Sequence, residues 1–172
     1  MEIRKARTED AEAMLSIYAP YVENTAISFE YDVPTPDEFR RRFAGITKNY
    51  PWLVATDGDR IVGYAYAGRF HERAAYQWAV ETSIYIDKKE KRRGIGRLLH
   101  EELEKALCRQ GILNMNACIA YCEVEDEYLT HDSMHFHERL GYTKVAHFHK
   151  CGKKFGRWYD MIWMEKIIGE HT

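Results

Sequence analysis

A chain of 172 residues is long enough for one domain with a substantial core. Its 25 Lys and Arg against 27 Asp and Glu leave a net charge of −2 at pH 7, which argues against a broad nucleic-acid footprint, and no long apolar run offers a membrane span. The four cysteines form no Cys-x-x-Cys pair, and Met1-Glu2-Ile3-Arg4-Lys5 lacks the apolar region of a signal peptide, so reduced thiols and a cytoplasmic protein are expected.

In chain order, Ile3 to Ala6 reads as a short strand. Thr8 is placed to cap a helix running to about Tyr21, with Ala11, Met14, Leu15 and Tyr18 on one face. Thr35-Pro36-Asp37-Glu38 is a strong helix start, with a Thr cap and Pro in the first position, and that helix is expected to end near Gly45. Trp52–Thr56 and Arg60–Ala67 read as strands joined by the hairpin signal Asp57-Gly58-Asp59. Ala79–Ile86 is a third strand of this kind. Ile95, Leu98, Leu99, Leu103, Ala106 and Leu107 have helical spacing, with a stop near Gln110-Gly111. Asn114–Ala120 (strand), Ser133–Leu140 (helix ended by Gly141), Lys144–Phe148 and Tyr159–Met164 (strands) complete the order β-α-α-β-β-β-α-β-α-β-β. The expected class is α/β or α+β, a sheet with helices on both faces, in a single domain over 1–172.

Six basic residues (Lys88, Lys89, Lys91, Arg92, Arg93, Arg97) crowd the start of the third helix, around Gly94-Ile95-Gly96. A helix N-terminus presents unpaired N–H groups and a partial positive charge, and glycine lets a pyrophosphate approach the backbone closely. A solvated basic turn is the plain alternative. Arg97-Leu98 after Gly96 excludes a Walker loop, and Leu99 stands where a dinucleotide fingerprint needs its third glycine.

The remaining pattern, strand, basic Gly-x-Gly turn and long helix, resembles the pyrophosphate loop of the GNAT superfamily of acetyl-CoA-dependent N-acetyltransferases, with Lys91 in the usual Arg/Gln position. The element order is also that of the GNAT fold, a mixed, mostly antiparallel sheet flanked by helices. More narrowly, residues 75–86 (AYQWAVETSIYI), 133–142 (SMHFHERLGY) and 154–160 (KFGRWYD) resemble, in order, three segments of phosphinothricin N-acetyltransferase-like proteins. Two stretches depart from that pattern: Leu129-Thr130-His131-Asp132, where an asparagine is common, and the acidic run 120–128.

The resemblance implies acetyl transfer from acetyl-CoA, with no metal, to the amine of a small amino-acid-like acceptor of the phosphinothricin, methionine sulfoximine or methionine sulfone type. Glu81 then stands as general base; periodicity alone favours a solvent-facing strand glutamate, and the resemblance reverses that preference. His137 is implied as acid or as part of a base relay, against a plain buried helix histidine. The implied acetyl-CoA contacts are Ile84, Tyr85 and Ile86 (through backbone N–H groups at a splay between 79–86 and 114–120), Lys91, Arg92, Arg93, Gly94, Ile95, Gly96 and Arg97 at the loop, and Ser133 and Phe136 on the short helix. Acceptor contacts are Phe29, Glu30, Arg73, Tyr76 and Trp158, with Arg73 suited to fork a carboxylate or phosphinate and core packing an equal reading for Trp158.

The pairs His135-x-His137 and His147-x-His149 have metal-like spacing, but nothing in the cysteine pattern completes a closed zinc site, so no metal is expected. The acidic run motivates an alternative acceptor, a polyamine, an aminoglycoside or a protein N-terminus. A non-catalytic acyl-CoA-binding module is the alternative outside enzymes. A homodimer is expected, without nucleic acid or membrane as partner.

Overall fold

The computed structural model describes residues 1–90 and 92–172. Among the described residues, seven strands form one sheet in the order β1-β2-β3-β4-β5-β7-β6: β1 Glu2–Lys5, β2 Trp52–Asp57, β3 Arg60–Arg69, β4 Ala79–Ile86, β5 Asn114–Tyr121, β6 Thr143–Lys154 and β7 Arg157–Ile167. Every pairing is antiparallel except β4 with β5. The helices are α1 Ala11–Asn24, α2 Pro36–Thr47, α3 Ile95–Gln110 and α4 Asp132–Arg139. The expected order and the mixed, mostly antiparallel sheet are both present.

Alternation along the strands divides the core between the two faces. Trp52, Val54 and Tyr64 pack under α1 and α2 with Met14, Tyr18 and Phe39. Leu53, Ala55, Ala65 and Val80 pack under α3 with Ile95, Leu99, Leu103 and Leu107, which recur every four residues and are all buried. Leu98, expected on that stripe, is exposed, and His100 is buried in its stead, its Nε2 2.9 Å from the Tyr142 hydroxyl.

Local boundaries differ where long-range partners intervene. Thr8 does not cap α1: a 3-10 turn, Thr8–Asp10, precedes it, and the Asp10 carboxylate takes the Arg7 N–H at 2.7 Å and both Arg4 Nη groups. An arginine-paired carboxylate is a stronger acceptor than a threonine hydroxyl. Thr35 does cap α2, accepting the Glu38 N–H. β6 and β7 run well beyond the expected segments because they pair with each other through a tight turn, with Phe155 at φ 52° and Gly156 at φ 73°. No described helix is long and apolar enough to cross a membrane.

Candidate active site

The parallel pairing of β4 and β5 covers only Ala79–Glu81 against Asn114–Asn116, after which the strands part. Asn116, buried at this vertex, donates from Nδ2 to the Val80 carbonyl at 3.1 Å. Thr82 Oγ1 lies 3.3 Å from the Asn116 carbonyl oxygen. The expected splay is therefore present and pinned at its origin. Asp87 N–H bonds back to Val62 of β3 at 2.9 Å. By antiparallel alternation the N–H groups of Ile84 and Ile86 point away from β3, into the gap. The Tyr21 hydroxyl donates to the Ile86 carbonyl at 2.5 Å and so ties the open end of β4 to α1.

The gap forms a slot whose walls include Ile84, Tyr85, Cys118, Ala120, Ser133 and His137. Four residues expected at the donor or the chemistry (Ile84, Tyr85, Ser133, His137) thus meet there. His137 is only 5% exposed. Its Nδ1–H donates to the Ser133 carbonyl at 2.7 Å, because a carbonyl can only accept. In the neutral ring Nε2 is then the unprotonated nitrogen. Burial lowers the imidazole's pKa, with the Ser133 bond opposing, so the neutral form is favoured. An imidazole held this way accepts a proton before it donates one.

At the N-terminus of α3, Gly94 adopts φ +75°, a conformation that glycine takes without strain. The first intrahelical bond is Leu98 N–H to Gly94 O at 3.1 Å, which leaves the N–H groups of Ile95, Gly96 and Arg97 without helical partners. A Cβ at Gly96 would lie 3.1 Å from the Phe136 ring, so glycine here lets α4 close on α3. The basic residues divide. Arg93 bonds Glu90 and Asp57, and Arg60 also bonds Glu90, a buried carboxylate that the two guanidiniums hold below its ordinary pKa. Arg97 pairs with Glu101. Arg92 is exposed and has no ion pair among the described residues; Lys91 lies outside them.

Glu81, Ser83 and Tyr85 share the face opposite Thr82 and Ile84, the α1/α2 side. Glu81 is half-buried, and burial raises its carboxyl pKa, with nearby His71 opposing. Next to it opens a groove of about 970 Å³. Asn116, the register partner of Glu81, lines this groove with Phe70, His71, Tyr76, Trp78 and Trp163. Arg73 precedes this rim at the start of the turn Ala74–Tyr76; it is exposed, and its side chain has no hydrogen bond or ion pair among the described residues.

The other expected acceptor contacts lie elsewhere. Glu30 is clamped by the Tyr18 hydroxyl and by Arg42 at 2.6 and 3.1 Å. Phe29 covers Gly152 of β6, where a Cβ would come within 2.4 Å of its ring. Trp158 is 57% exposed, lies under Lys153 Nζ at 5.4 Å, and lines neither the slot nor the groove. Sequence reasoning passed over Phe70, His71 and Asn116; the alternation that places Asn116 beside Glu81 becomes visible only once the parallel pairing is known. The acidic run is partly compensated: Arg157 forks Glu127 at 2.7 Å twice and bonds Asp126, which also receives the Tyr159 hydroxyl, while Glu125 accepts the His131 N–H.

A sheet opened between parallel strands, with a glycine-turned helix N-terminus beside it, offers rows of unpaired N–H groups to an extended, phosphate-bearing ligand. Residues 3–163 match the acetyltransferase (GNAT) domain model. The chain is 34% identical over 162 residues to a phosphinothricin N-acetyltransferase of Streptomyces viridochromogenes, covering 94% of this chain and 84% of that protein. It is 31% identical over 173 residues to an L-methionine sulfoximine/L-methionine sulfone acetyltransferase of Salmonella typhimurium, covering 100% and 97%. A GNAT superfamily phosphinothricin acetyltransferase of Sinorhizobium meliloti, solved with acetyl-CoA, superposes at a TM-score of 0.90 with 34% identity over 99% of this chain and 90% of that one. The chain belongs to the GNAT superfamily of acetyl-CoA-dependent N-acetyltransferases.

Proposed function

We propose that this enzyme moves acetyl from acetyl-CoA to the amine of a small amino-acid-like acceptor of the phosphinothricin, methionine sulfoximine or methionine sulfone type, by direct transfer with Glu81 as base. The reading rests on one observation above all: a half-buried carboxylate of raised pKa, Glu81, directly precedes Thr82 of the slot and pairs in register with Asn116 of a separate groove. The exposed, unpaired Arg73 supplies a fork for the acceptor's acid group. Acceptors of this class are known from the names of the relatives above.

In the reaction Glu81 takes a proton from the bound ammonium, directly or through one water. The freed amine lone pair attacks the thioester carbonyl. Carbonyl charge develops against the N–H of Ile84, which β3 does not use. The tetrahedral intermediate collapses with C–S cleavage, and the second proton of the attacking nitrogen passes, directly or through water, to the departing CoA thiolate. The unprotonated Nε2 of His137 suits a base relay; donation to the thiolate requires that it first be protonated. The loop N–H groups, with Arg92 and Lys91, hold the pyrophosphate.

The protein works as one acetyltransferase domain over 1–172, in the cytoplasm and as a homodimer. The internal pairing of Asp126 and Glu127 with Arg157 weighs against a polycationic acceptor, since part of that charge is already compensated. The test is CoA-thiol release across phosphinothricin, methionine sulfoximine, methionine sulfone, the twenty amino acids, spermidine, an aminoglycoside and short peptides. Turnover confined to amino-acid-like acceptors is expected. Turnover of polycations alone would reject the acceptor, and tight acetyl-CoA binding without turnover would reject the enzymatic reading in favour of a binding module.

A further inference from the structure

His147 and His149 take no part in the chemistry above. They stand two apart on β6, with stacked rings 4.1 Å apart and planes at 18°. Beside them the β6–β7 register shifts between Phe148 and Gly152. Across that irregularity, Asp160 of β7 directs Oδ2 to His147 Nε2 at 2.8 Å, while its Oδ1 accepts the Lys150 N–H at 2.7 Å. One donor atom from each of His147, His149 and Asp160 lies within 4.8 Å of the others. The His147 ring is braced edge-on by Tyr121 at 5.1 Å. The pair in α4 is different: His137 Nδ1 is committed to Ser133, and residues two apart on a helix diverge.

We propose that His147, His149 and Asp160 form a binding site for a single first-row divalent transition cation of the zinc(II) class, separate from acetyl transfer. Two imidazoles and a carboxylate are the donors such ions take, and three protein ligands leave a position for water. Zinc bonds of about 2.0–2.2 Å put ligand atoms roughly 3.3 Å apart, a closure that the exposed His149 can make by side-chain rotation. The Lys150 N–H already orients the carboxylate from behind, as outer partners do in metal sites. The cation replaces the hydrogen bond between His147 and Asp160, and the proton on Nε2 moves to Nδ1.

The test is calorimetric titration of untagged, reduced protein with zinc chloride, together with the visible spectrum of the cobalt(II)-loaded protein. One equivalent per chain is expected, with a cobalt spectrum that shows nitrogen and oxygen ligation and no thiolate charge transfer. His149→Ala, at an exposed position, is expected to weaken binding about tenfold or more with an unchanged metal-free melting curve, while His135→Ala binds as the parent does. Absence of binding at about 100 μM zinc, thiolate ligation, a smaller effect of His149→Ala, or equal loss in His135→Ala would overturn the assignment.

Discussion

In the proposed reading the backbone recognises the donor, whereas side chains recognise the acceptor. The slot presents the N–H groups of Ile84 and Ile86, and the N-terminus of α3 presents those of Ile95, Gly96 and Arg97. These depend on strand alternation, a left-handed glycine and a gap between strands, features that many sequences satisfy. On the other side, the groove is lined by the side chains of His71 and Tyr76, and the proposed reading adds Glu81 and Arg73 as groups that meet an acceptor through their own atoms. One fold can therefore keep its donor while exchanging acceptors, since the donor geometry tolerates substitutions that would alter the groove.

The largest expected effect of dividing the two sides is at Glu81. Glu81→Gln is expected to lower kcat by about 10²–10⁴-fold, the usual contribution of a positioned base, with acetyl-CoA affinity unchanged by calorimetry. A combined loss of donor binding would mean that the vertex belongs to both sides. Next is Arg73→Ala. A charge-assisted bond of about 1.5–3 kcal/mol corresponds to roughly 10–150-fold, expected in the acceptor's KM and absent from that of acetyl-CoA. Steady-state kinetics with both substrates varied separates the two.

Gly94→Ala tests the donor side. Placing a Cβ at φ +75° costs about 1–2 kcal/mol, so the KM for acetyl-CoA is expected to rise several-fold, with the acceptor's KM unaffected. The smallest effect is on stability. Because burial raises the Glu81 pKa, the folded chain holds that proton more tightly than the unfolded chain does. Stability therefore falls as pH rises from the ordinary carboxylate range through the raised value, and then levels. Glu81→Gln lacks this fall, so its melting temperature is expected to exceed the parent's at pH 7 and to approach it at low pH.

The donor side was also the more legible in sequence. Apolar spacing located α3, the Gly-x-Gly turn marked its start, and β4 was recognisable from its branched and aromatic residues. What escaped depends on partners distant along the chain. The pairing of Arg93, expected at the pyrophosphate, with Asp57 could not be seen before folding brought the two together. The enclosure of Glu30, expected at the acceptor, by Tyr18 and Arg42 was likewise hidden. The compensation of Asp126 and Glu127 in the acidic run by Arg157, some thirty residues on, was hidden as well. The length of β6 was hidden because its pairing runs through an irregular register and a Phe-Gly turn rather than an Asn-Gly one.

The most direct test of the division is the pH profile of kcat/KM for methionine sulfone, in the parent and in Glu81→Gln at saturating acetyl-CoA. The account predicts a rise in the parent through an apparent pKa above the ordinary glutamate range, and loss of that limb together with most of the rate in the variant. A Glu81→Gln enzyme that kept both the parent's profile and its rate would contradict it.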